Sequence, residues 1–157
     1  MDFISLEMGI GFLIIFMGPI IYILIKEKSK KKKLERHIAK LCADNHIQQN
    51  LTVSLAGHIL VSDTTDKKLL SYHKKQGDYS IVNLSDFDSC NVHKSWNNGE
   101  GSRKIIQNIS MIFNRKEQGK PLTIRIFDDS YENPLEAEAI LYETDRFVRH
   151  LNTAALK

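Results

Sequence analysis

The sequence predicts a mainly β chain: about seven short strands in an antiparallel barrel or sandwich, closed by a C-terminal helix and preceded by one N-terminal transmembrane helix. Three observations predict it. One is a single uncharged apolar run near the N-terminus. The second is a series of short runs rich in Val, Ile, Leu, Thr and Tyr, separated by turn residues. The third is a capped, amphipathic segment near the C-terminus.

Met8 to Ile25 holds eighteen residues without a charge. At about 1.5 Å per residue this is roughly 27 Å of helix, close to a hydrocarbon core of about 30 Å. The residues before it are acidic and no small-residue cleavage site follows it, so a signal peptide is disfavoured. The expectation is a short extracytoplasmic N-terminus at 1–7 and a bilayer-spanning helix at 8–25. Gly11 and Gly18 share a helix face; they could support a weak homodimer or simply face lipid.

Residues 26–44 carry eight basic groups: Lys26, Lys28, Lys30, Lys31, Lys32, Lys33, Arg36 and Lys40. With three acids, the segment has a net charge of +5. Good helix formers and the stripe Leu34, Ile38, Leu41 suggest a basic helical stalk. Its charge lies on one side of the apolar run only. The positive-inside rule then puts the C-terminal part in the cytoplasm of a single-pass inner (plasma) membrane protein, with the N-terminus outside. The sequons at Asn50, Asn83 and Asn108 are read as chance. The lysines serve topology first; binding anionic lipid is the alternative, limited by the reach of the surface field.

Residues 45–157 carry fourteen basic and fourteen acidic residues, a neutral balance that gives no footprint for nucleic acid. Strands are expected at Leu51–Leu55, His58–Ser62, Lys68–Lys74, Tyr79–Leu84, Cys90–Trp96, Lys104–Asn114 and Leu122–Phe127. Alternation is clearest at Ile109, Met111, Phe113 and at Leu122, Ile124, Ile126. A helix is expected over 134–152, with Asn133 as N-cap, Pro134 at N1 and Glu136 closing a capping box. Its inward stripe is Ala137, Ile140, Leu141, Thr144, Phe147, Val148 and Leu151, which must bury itself on the sheet, most naturally at an open end of the barrel.

About seven strands and a capping helix over residues 47–155 resemble a pleckstrin-homology-like (PH-like) domain. The stretch from Tyr79 to His93, with the paired runs 109–113 and 122–128, is similar to small bacterial membrane-anchored proteins of this kind. The resemblance implies a binding or adaptor module rather than an enzyme. Phosphoinositide-binding members carry a basic signature between their first two strands. Here that connection is Ala56-Gly57, so headgroup binding is not carried over.

Catalytic and metal motifs are absent. There is no GxSxG, Walker A, GxGxxG or HExxH, and the six histidines show no ligand spacing. Asp86-Phe87-Asp88 fails as a calcium loop, since Asn91 stands where Gly is needed and Asn97 where Glu is needed. It reads as a polar turn. Asp128, Asp129 and Glu132 read as a solvated acidic loop, with a cation site as the alternative. Cys42 and Cys90 form neither a CxxC pair nor a disulfide framework, and Cys90 reads as a small buried hydrophobe. Trp96, before the Gly-rich loop 97–102, reads as rim packing or as an anchor for a protein partner. No cofactor, metal or catalytic residue is expected. The functional expectation is a membrane-tethered, non-catalytic adaptor with an unknown protein partner. An anionic-lipid sensor using the stalk is the alternative. An enzyme that brings together His73, His93 and Asp86 or Asp88 comes third.

Overall fold

A computed structural model describes residues 3–98, 104–117 and 119–156, with side chains on the first helix from Ile15 onward. The chain divides into two compact units, Met1–Leu41 and Cys42–Lys157.

Helix α1 runs from Phe3 to Asp44 as one element of 42 residues, with Pro19 inside it. Among the described residues, no helix is long and apolar enough to cross a membrane. Helix α1 passes without a break from Ile25 into Lys26. The transmembrane helix expected at 8–25 is therefore corrected. With it goes the single-pass, N-out placement in the inner membrane. All eight basic residues from Lys26 to Lys40 are exposed. Gly11, the first member of the glycine pair, lies outside the described side chains.

The second unit holds seven strands in two antiparallel sheets. The first has the order β1-β2-β3-β4, with β1 Leu51–Ser54, β2 His58–Asp63, β3 Lys68–His73 and β4 Tyr79–Asn83. The second has the order β5-β6-β7, with β5 Phe87–Asn98, β6 Lys104–Arg115 and β7 Leu122–Asp128. Each strand follows its neighbour in sequence, as short connections favour. The apolar faces meet in one core that includes Leu60, Leu69, Leu84, Met111, Phe113, Phe127, Phe147 and Leu151, all fully buried. Each such side chain contributes about 1.5–3 kcal/mol of transfer free energy. Asp63, also fully buried, accepts backbone N–H bonds from Gln48 (2.7 Å), Thr65 (2.8 Å) and Asp66 (3.0 Å), which fixes the β2–β3 turn. Burial raises its carboxyl pKa, but these donors and Lys68 outweigh that and hold it below the usual range.

Three local expectations differ from the structure. Asp86-Phe87-Asp88 is not a polar turn: Asp86 ends a 3-10 turn over Leu84–Asp86, and β5 starts at Phe87, which is buried and opposite Arg115. Simple alternation on β7 fails because the register slips between Ile109 and Ser110, leaving Ile126 as an extra residue, and both Ile126 and Phe127 are buried. The capping box is also not formed. The Asn133 side chain accepts from the Leu135 N–H (3.1 Å), Pro134–Glu136 form a 3-10 turn, and α2 proper runs Ala137–Ala154 with no side-chain cap from Glu136. The buried face of α2 is Ala137, Ile140, Thr144, Phe147, Val148 and Leu151, packed on β5, β6 and β7.

Candidate functional site

Strand β5 ends its sheet, so one row of its backbone groups has no strand partner. The hydrogen bonds fix which row. The Asp129 N–H bonds the Gln107 carbonyl at 2.9 Å, so odd-numbered residues of β6 face β7 and even-numbered ones face β5. Through the β5–β6 register this turns the N–H and C=O of Cys90, Val92 and Lys94 outward. At Cys90 a side chain of α2 meets them. Asn152 Oδ1 accepts from the Cys90 N–H at 2.9 Å, and Asn152 Nδ2 donates to the Cys90 carbonyl at 2.8 Å. A carboxamide has the donor and acceptor of a peptide group, so Asn152 stands in for one residue of a missing strand.

Beyond Cys90 the edge opens. A groove of about 360 Å³ is lined by Val92 and Lys94 from β5 and by Glu138, Leu141, Tyr142 and Asp145 from α2. The helix residues fall at i, i+3, i+4 and i+7, one face of α2. Val92 and Leu141 are half-buried and form an apolar floor, while Tyr142 is 63% exposed. Among the described residues, nothing bonds the outward N–H and C=O of Val92 and Lys94. Two acids face one lysine across the groove, and Asp145 is shared with Arg149 at 3.4 Å. Trp96 is not in the groove lining. It is 45% exposed, and Lys94 Nζ lies 5.3 Å from its ring centroid, so it props the lysine at the rim. The Gly-rich loop after Trp96 lies outside the described residues at 99–103.

A second concave region surrounds two histidines. The β2–β3 register pairs His58 with His73, and their rings meet edge to face at 4.6 Å. His73 Nδ1 accepts from the Gln76 N–H (3.1 Å) in a turn that Gly77 closes with φ +80. His58 makes a hydrogen bond to the Ile126 backbone, joining β2 to β7, while its Nδ1 is buried and unpartnered. Burial first, then the charges of His73 and Lys74, push the His58 pKa down to about 4. The ring is therefore neutral at pH 7 and a weak base. Cavities of about 690 and 440 Å³ flank the pair and share His58, His73, Gln76 and Arg125. Asp86 lines the larger one with His73, whereas His93 and Asp88 line neither, so the three-way convergence considered from sequence is not formed.

The acidic loop after β7 organises this region. Arg125 pairs with Asp128 at 2.9 Å, and Glu132 accepts from the Asp128 N–H at 3.3 Å. The Glu132 carboxylate lies against Gly57, where an added Cβ would push it aside. The Ser130 backbone N–H, with its hydroxyl and Arg125, outweighs burial and holds the Asp128 carboxyl below the usual range. Among the described residues, no group of three or more His, Cys, Asp or Glu is placed to hold a metal ion. Both thiols are free and buried, and burial pushes Cys90 up to about 12.

Sequence reasoning missed Asn152, whose partner lies 62 positions away with no local signal. It also missed the pairing of His58 with His73. Setting Asp63 against Lys68 at the hairpin turn would have brought it out. No family model, no curated protein and no solved structure matches this chain.

Proposed function

We propose that this chain is a non-catalytic binding module that takes an extended segment of a partner protein as an added strand on β5, beside α2. The observation that carries the reading is the carboxamide of Asn152 on Cys90, a strand-like pairing followed directly by an unpaired edge and a groove. Such an edge supplies main-chain hydrogen bonds for affinity, and the groove selects alternate side chains. Val92 and Leu141 suit an apolar residue, and Glu138 suits a basic neighbour. The sequence pattern shared with PH-like domains supports binding over catalysis.

The test uses the full-length chain and a phage-displayed library of random decapeptides. Enriched peptides are expected to slow amide exchange at Val92 and Lys94 and to lose binding in Tyr142→Glu. Peptides that bind without protecting either amide, or no enrichment at all, count against the reading.

A further inference from the structure

Helix α1 exposes an apolar section and a cationic section end to end. Ile20, Ile21, Tyr22, Ile23, Leu24 and Ile25 are each exposed by 49% to 65%. At 3.6 residues per turn, consecutive side chains of this kind point in every direction around the helix axis. A protein groove covers one side of such a section and leaves the others in water. Acyl chains surround it on all sides.

From Lys26 onward the exposed side chains turn cationic, and they are not spread evenly. Lys26, Lys30, Lys33 and Lys40 recur at i, i+4, i+7 and i+14, which is one stripe along the helix. Lys28, Lys31 and Lys32 fall on the opposite side, and Glu27 and Glu35 lie off the stripe. Among the described residues, no stripe lysine is in an ion pair. Tyr22 continues the stripe one turn earlier, with Lys26 Nζ 5.8 Å from its ring centroid. A tyrosine beside a lysine, where an apolar section meets a charged one, suits the headgroup level of a phospholipid layer.

We propose that α1 docks on a surface of anionic phospholipid, with residues 20–25 among the acyl chains and the stripe of Lys26, Lys30, Lys33 and Lys40 along the phosphates. The stripe sets the angle of approach. Attraction to the charged surface fades within about 8 Å. On an upright helix only about five or six residues past Ile25 lie that close. A tilted helix with one stripe turned down keeps all of the stripe lysines at the phosphates. The contact is with one face of the lipid layer and does not need α1 to cross it. Residues 45–157 carry fourteen basic and fourteen acidic groups, so the net attraction is confined to α1.

Flotation of the full-length chain with phosphatidylcholine vesicles, with and without phosphatidylglycerol, tests this. Phosphatidylglycerol is expected to tighten binding by at least about tenfold, and added salt to reverse most of that gain. Replacing the stripe by Lys30→Gln, Lys33→Gln and Lys40→Gln together should weaken binding by at least about tenfold. Lys28→Gln, Lys31→Gln and Lys32→Gln together make the same charge change on the opposite side and should weaken it far less. Tyr22→Glu, at the junction, should also weaken binding. Circular dichroism checks that each variant keeps its helix. Equal or no binding to the two vesicle types, equal losses in the two triple variants, or capture by duplex DNA as tight as by the vesicles overturns the proposal.

Discussion

Cys90 and Val92 stand two residues apart on one strand, with their backbone groups turned the same way, yet they meet different surroundings. Cys90 is fully buried, and both its outward groups are bonded by Asn152. Val92 is half-buried, and its outward groups face an open groove. The difference comes from what α2 presents to the strand. Near its C-terminal end it offers a carboxamide. Near its N-terminal end it offers Glu138, Leu141, Tyr142 and Asp145, none of which is seen bonding the strand. A single helix thus closes part of a sheet edge and leaves the rest available.

The largest expected effect comes from breaking the closed part. Asn152→Ala leaves a donor and an acceptor of Cys90 without partners and is expected to cost about 2–3 kcal/mol in denaturant unfolding. A smaller effect sharpens the contrast with another side-chain-to-backbone tie in this unit, His58 on Ile126. Asn152 does not titrate and His58 does. Because folding lowers the His58 pKa to about 4, the unfolded chain binds this proton more readily. Its contribution is complete above the ordinary value of 6.5 and is lost as pH falls toward 4. The loss is roughly 2 kcal/mol, allowing for solvent reaching part of the ring. His58→Gln should flatten that part of a stability–pH curve. Asp63 and Asp128, whose carboxyls are held low, lose their contributions only at more acidic pH.

Asn133→Ala, which removes the cap on the turn leading into α2, is expected to cost about 1 kcal/mol in thermal or denaturant melts. The smallest stability change belongs to the open part. Tyr142→Ala should shift unfolding by no more than about 0.5 kcal/mol, since its ring is mostly exposed. A large destabilisation there would mean that Tyr142 packs as core rather than lining a groove.

Much of the β unit was legible because its signals are local. Period-two alternation marks Ile109, Met111 and Phe113, all fully buried, and the 3.6-residue stripe of α2 marks Ile140, Phe147 and Leu151. The β7 bulge was not legible, because an inserted residue leaves Ile126 and Phe127 looking like any apolar pair. Nor was the groove. Its residues come from 92–94 and 138–145, and no periodicity links a strand to a distant helix. The apolar run near the N-terminus misled in the opposite way. A count of uncharged residues suggested a membrane span, whereas among the described residues no helix is long and apolar enough to cross a membrane.

The most direct measurement is residue-resolved amide hydrogen exchange of the free chain at Cys90, Val92 and Lys94. Slow exchange at Cys90 with fast exchange at Val92 and Lys94 is the predicted pattern. Equal protection at all three would contradict the account, because the edge on which a partner strand is to pair would already be occupied.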